Sequence, residues 1–212
     1  MSLEHLLNTE SEKRDNSWES KFLDAFVNSK VEVISEDPQN GPEGFPYLLV
    51  KTSSTATEPV AKVIDWLSSR GIGLVVNPYN EKKPDYVFSY GMIWNFKERN
   101  RFLEPIHHTR SNRMEIKEGE KLYHGDINEK YFPKYARKIL KEFFIQQGVL
   151  TPKVLAISTD QKHYDICFSL NSLGNPEIKE HPGIAEALSW FFPFNTSIVL
   201  VEEKNLPSFY LL

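Results

Sequence analysis

The run Tyr86-Val87-Phe88-Ser89-Tyr90-Gly91-Met92-Ile93-Trp94-Asn95-Phe96 places Tyr86, Phe88, Tyr90, Met92, Trp94 and Phe96 at every second position. A period of two sends alternate side chains to one face of an extended strand, so the pattern predicts a strand with an unbroken aromatic face. A face this apolar has to be covered, either by helices in a core or by a partner segment in an open groove. Gly91, on the opposite face, would let another backbone approach closely. Just upstream, Gly71-Ile72-Gly73-Leu74-Val75-Val76-Asn77-Pro78 reads as a short buried strand closed by an Asn-Pro turn.

The remaining periodicities surround these two strands. Trp18, Phe22, Ala25 and Phe26 recur at helical spacing behind a cap at Asn16 or Ser17, and Val60, Val63, Ile64 and Leu67 form an apolar stripe behind Thr57 that ends at Arg70 and Gly71. Residues 31–34 and 45–52 read as strands. The second of these, the helix and the strand at 72–76 make a strand-helix-strand unit, with the aromatic strand as an antiparallel neighbour.

From Asn128 a long helix carries Phe132, Ala136, Ile139, Leu140, Phe143 and Phe144 to Gly148. A hairpin over 153–157 and 163–170, a helix from Pro182 to Pro193 and a strand over 196–202 follow. The apolar tail Leu206–Leu212 is expected to dock on the body. The expected fold class is α+β, with two closely packed subdomains that each pair a mixed sheet with covering helices. The expected boundaries are a flexible leader at 1–16, one subdomain at 17–127 and another at 128–212. The second half repeats the logic of the first without visible sequence repetition.

Of the 212 residues, 40% are hydrophobic and 13% aromatic, enough to fill a substantial core. No apolar run approaches the roughly 20 residues that cross a bilayer, and the polar, acidic beginning lacks the pattern of a secretory signal. Cys167 is the single cysteine, which excludes an intramolecular disulfide and fits a reducing compartment, so a cytoplasmic protein without a membrane partner is expected. The net charge of −4 is uneven: residues 1–46 hold ten acids and four bases, and residues 97–142 hold twelve bases and eight acids.

The helix leading into Gly71–Pro78, the C-terminal order of long helix, hairpin, short helix and strand, and the closing Ser208-Phe209-Tyr210 resemble the SseB-like family, named for enhanced serine sensitivity. The resemblance implies a bacterial, cytosolic α+β protein that works as a binding or accessory module, with no catalytic residue to carry over.

Chemistry-bearing motifs are sparse. There is no Gly-x-Ser-x-Gly elbow, no Cys-x-x-Cys and no phosphate loop, and Gly71-Ile72-Gly73 precedes a strand where a dinucleotide fingerprint would follow one. No cofactor is called for. His107, His108, His124 and Asp126 are the alternative polar site, around which a hydrolase or transferase could disperse its groups. Adjacent His107 and His108 point to opposite faces of a strand, which argues against one shared metal.

Lys97, Arg99, Arg101, Arg110 and Arg113 beside Trp94, Phe96 and Phe102 could grip single-stranded nucleic acid, but Glu98 and Glu104 interrupt the patch. Protein is therefore the expected partner, through Tyr90, Trp94, Phe96, Arg99 and Arg101, and a homo-oligomer stays open. The expected function is non-catalytic, that of a protein-binding or regulatory accessory factor.

Overall fold

The computed structural model describes residues 2–80, 83–103, 121–194 and 196–212. The chain divides into two compact units, Met1–Phe102 and Leu103–Leu212, which moves the expected boundary at residue 127 to residue 102. Each is α+β.

The first unit begins with α1 (Leu3–Leu7), where a flexible leader was expected. Leu6 is buried, and its carbonyl accepts the Trp18 indole N–H at 2.9 Å. Helix α2 (Asn16–Val27) is capped by Asp15, whose carboxylate accepts the Trp18 N–H at 2.8 Å, one residue ahead of the expected caps. Strands β1 (Lys30–Val33), β2 (Gln39–Asn40), β3 (Pro46–Lys51) and β4 (Glu58–Pro59) follow. Next come α3 (Val60–Ser68), β5 (Gly73–Val76), β6 (Tyr86–Phe88) and α4 (Tyr90–Arg99).

The sheet order is β4-β1-β3-β5-β6, with β2 added beside β3. Strands β3 and β5 run parallel, joined through α3, and β6 lies antiparallel on β5 as expected. Leu48, Leu74 and Phe88 stand in one row across three strands, and α2 covers that face, with Phe26 stacked on Phe88 at 5.2 Å and Phe22 against Tyr86 at 5.0 Å. Gly73 is obligatory for packing: a Cβ there would lie 2.6 Å from the Tyr47 ring.

The long aromatic strand does not form. β6 stops at Phe88, and Ser89, in an extended conformation, caps α4 by accepting the Met92 N–H. Tyr90 and Trp94 belong to the alternating set, but they are also four apart, the spacing of one helix face. A serine able to cap decides between the two periods, because its hydroxyl satisfies a backbone donor that a continuing strand would pair elsewhere. Asn100, at φ 54, closes the helix in the left-handed conformation.

The second unit contains β7 (Tyr123–Gly125), α5 (Lys134–Gln146), β8 (Lys153–Ser158) and β9 (Asp165–Ser169). It continues with α6 (His181–Phe191), β10 (Ser197–Val201) and β11 (Tyr210–Leu211). The order is β10-β9-β8, with β11 and β7 both antiparallel on the far side of β8. Helices α5 and α6 pack on the face that carries Phe168, through Phe144–Phe168 at 6.0 Å and Phe143–Phe191 at 4.9 Å. On the other face Leu155, Ile157 and Cys167 are buried under Leu122, Val199, Val201, Leu206 and Phe209. The tail docks as expected: β11 pairs with β8, and the Leu212 N–H donates to the Pro152 carbonyl at 2.9 Å.

The two units share a plan. In the first, α2-β1-β3-α3-β5 places an antiparallel pair beside a parallel one in the order β1-β3-β5. In the second, α5-β8-β9-α6-β10 does the same in the order β8-β9-β10. Short antiparallel strands flank β1 and β8 alike, but β6, which flanks β5, has no counterpart beside β10 among the described residues.

Candidate functional site

Five groups of residues bear on function, and the first is the set Tyr90, Trp94, Phe96, Arg99 and Arg101. The helix that replaces the strand turns Tyr90 and Trp94 fully inward, which corrects their place on a contact surface. The Tyr90 hydroxyl donates to the Ser68 carbonyl at 2.7 Å, and burial raises its pKa. Phe96 stacks on Phe102 at 4.5 Å. Arg99 donates to the Asn95 side chain at 3.1 Å, and buried Asn95 donates to the Arg101 carbonyl at 2.9 Å. Tyr90, Trp94 and Phe96 thus pack into the fold at α4, while Arg101 is exposed.

Of the alternative polar site, His107 and His108 lie outside the described residues. His124 is exposed on β7, paired with Ile157. Asp126 accepts both terminal nitrogens of Arg137, at 3.2 and 3.3 Å, and its own neighbour's N–H at 2.7 Å. That carboxylate is committed to tying β7 to α5. Among the described residues no three His, Cys, Asp or Glu gather where a metal could be held.

The link from the end of β8 to β9, whose sequence reads only as a polar connection, brings together Ser158, Asp160 and His163. The Asp160 carboxylate accepts the backbone N–H groups of Lys162 and His163, both at 2.8 Å, and lies 2.6 Å from the imidazole Nδ1 of His163. These bonds, those from His163 first, hold its pKa well below the usual carboxylate range. The Ser158 hydroxyl donates to Asp160 at 3.2 Å and accepts the N–H of Gln161 at 2.9 Å. Nucleophilic catalysis requires the serine on the imidazole; here it sits on the carboxylate, and the trio closes a turn.

Polar clusters also occupy the carboxyl ends of both parallel pairs, where open α/β sheets gather ligands. In the first unit, Asp85 accepts Arg14 at 2.8 Å, Asn77 at 2.8 Å and Asn80 at 3.0 Å. The Arg14 guanidinium also reaches the carbonyls of Leu7, Thr9 and Asp85 and lies 4.7 Å from the Trp18 ring centroid. Asn77, at φ 50, accepts the Thr52 N–H and joins the ends of β3 and β5.

In the second unit Glu203 accepts the hydroxyl of buried Ser169 at 2.6 Å and the Lys153 ammonium at 3.3 Å, and the Ser169 bond is the main reason its pKa is lowered. Asn77 before proline was visible in the sequence as a turn residue. The long-range partners Arg14 and Asp85, 71 positions apart, carry no local signal.

Every buried side-chain nitrogen and oxygen among the described residues has a partner. Among the described residues β10 ends its sheet, and all five of its residues are half-exposed, whereas four of the five in β9 are buried. The Val201 carbonyl accepts the Leu170 N–H at 2.8 Å, so the backbone groups of Val201, and by alternation Val199 and Ser197, face β9. Those of Ile198 and Leu200 face outward. An apolar edge without proline, bulge or inward charge is a ready template for another strand.

No helix among the described residues is long and apolar enough to cross a membrane. Compared with known proteins, the chain matches no family model, no curated protein and no solved structure. The fold and its edge define an α+β protein of two like-planned units, one with an open strand.

Proposed function

We propose that this protein is a non-catalytic, protein-binding accessory factor that docks its partner along β10. The observation that carries the reading is the contrast between consumed and available groups. The polar clusters spend their donors and acceptors on one another, while Ile198 and Leu200 hold backbone N–H and C=O groups outward on a half-exposed apolar strand. Strand addition supplies affinity through main-chain hydrogen bonds and specificity through alternate side chains. The accessory role is also what the SseB-like resemblance implies. A cytoplasmic setting belongs to the same proposal, supported by a buried free Cys167 whose thiol is pushed up to about 12 by burial and by Asp165.

The test is affinity capture from extracts of the source cells with wild type and Leu200→Pro. Proline removes an outward N–H that no strand among the described residues uses, a change that edge strands tolerate. A protein retained in stoichiometric amount by wild type and lost by a folded Leu200→Pro is the expected result. Equal retention by both would remove β10 from the reading.

A further inference from the structure

We infer that β10 pairs antiparallel with β10 of a second copy of this chain, centred on Val199, so that two sheets of the second unit join into one. The inference rests on β10 being the docking edge and names its occupant. The internal repeat gives the orientation. Strand β5 holds in the first unit the place that β10 holds in the second, and its outer edge is covered by β6, antiparallel, with Leu74 opposite Phe88 and Val76 opposite Tyr86. The plan therefore accepts an antiparallel apolar strand at this position. Two copies of one strand related by a two-fold axis are antiparallel by necessity.

Backbone parity requires the two-fold axis to fall on a residue, and Val199 is the middle residue of Ser197–Val201. In an antiparallel ladder, residues that exchange both hydrogen bonds alternate with residues that exchange none. Because the groups of Val199 face β9, Val199 of each copy meets its equivalent at a position without cross-bonds. Ile198 and Leu200, which face outward, then exchange both bonds with Leu200 and Ile198 of the other copy.

Side chains agree with this register. Ser197-Ile198-Val199-Leu200-Val201 contains no charge, and pairing about Val199 sets Ser197 opposite Val201 and Thr196 opposite exposed Glu202, an acceptor beside a hydroxyl donor. A parallel in-register pair would instead stack Glu202 on Glu202, and like charges directly opposite repel.

Sedimentation velocity across the micromolar range tests the inference on four forms of the full chain. Wild type is expected to pass from 24.6 kDa to twice that mass as concentration rises. Leu200→Pro is expected to stay at 24.6 kDa. Thr196→Glu puts a like charge opposite Glu202 twice per dimer and is expected to weaken association about tenfold. Thr196→Glu combined with Glu202→Lys is expected to restore it.

The two charge variants are surface changes, so they decide the matter even if Leu200→Pro does not fold. A wild type that sediments as one 24.6 kDa species throughout overturns the inference, as does a dimer indifferent to the charge swap. A monomeric wild type whose captured partner is still lost on Leu200→Pro overturns the second copy and leaves the docking edge standing. A swap-sensitive dimer that captures no other protein supports the pairing and removes the accessory partner.

Discussion

The two units carry the same α-β-β-α-β plan, but they finish it differently. In the first, β6 closes the edge of β5, its Phe88 fully buried against Phe26 and Phe102, and the polar cluster at the strand ends is sealed: the Arg14 and Asp85 side chains keep 10% and 5% of their exposure. In the second, β10 has no outer neighbour among the described residues, and Lys153 and Glu203 in the corresponding cluster keep 40% and 33%. One plan thus yields a finished module and one with an edge to spare. The difference lies in a three-residue strand rather than in the shared core.

The comparison can be broken first at the outer strands. Phe88→Ala is expected to cost about 4 kcal/mol, the loss of a fully buried ring plus the cavity it leaves, whereas Leu200→Ala on the open edge should cost about 1 kcal/mol. Urea denaturation followed by hydrogen exchange of each unit's amides measures both. Similar losses at the two sites would mean that β10 is as enclosed as β6.

The clusters come next. Arg14→Met leaves the Asp85 carboxylate buried without its cation and is expected to destabilise by about 3 kcal/mol. Lys153→Met removes half of a partly exposed pair and should cost less than about 1 kcal/mol. Denaturation midpoints of the two variants, measured side by side, sharpen or erase the contrast between sealed and open clusters.

The smallest effect concerns pH. Glu203 has a folded pKa below its unfolded one, so its contribution to stability is present above the ordinary carboxylate value and is lost as pH falls toward the folded value. Ser169→Ala removes the main cause. The stability gap between wild type and Ser169→Ala should therefore be full at neutral pH and shrink once the pH drops below about 4.3. A gap that is constant from pH 7 to pH 3 would assign the serine a packing role alone.

Local chemistry made most of the fold legible. The βαβ unit over β3, α3 and β5, the β8–β9 hairpin and the docked tail follow from apolar spacing bounded by glycine and proline. The failure at Tyr86–Phe96 arose because an aromatic at every second position also contains an aromatic at every fourth, and Ser89 resolves the ambiguity only if it is read as a cap. The site was much less legible. The alternation at Tyr90 and Trp94 points to a strand face where the chain forms a buried helix face, and Arg14 lies in a polar stretch whose sequence carries no sign of its partner. What singles out Ile198 and Leu200 is the absence of a neighbouring strand among the described residues, which is a property of topology and leaves no mark on Ser197–Val201 themselves.

The Arg14–Asp85 pair also has a consequence in time. A ribosome adds about 5–20 residues per second, so the 71 positions between these two residues amount to several seconds of synthesis. Throughout that interval the guanidinium lacks its Asp85 partner, which the carbonyls of Leu7 and Thr9 join in the folded unit. The clasp is therefore among the later parts of its unit to set, closing only after Asp85 has left the exit tunnel.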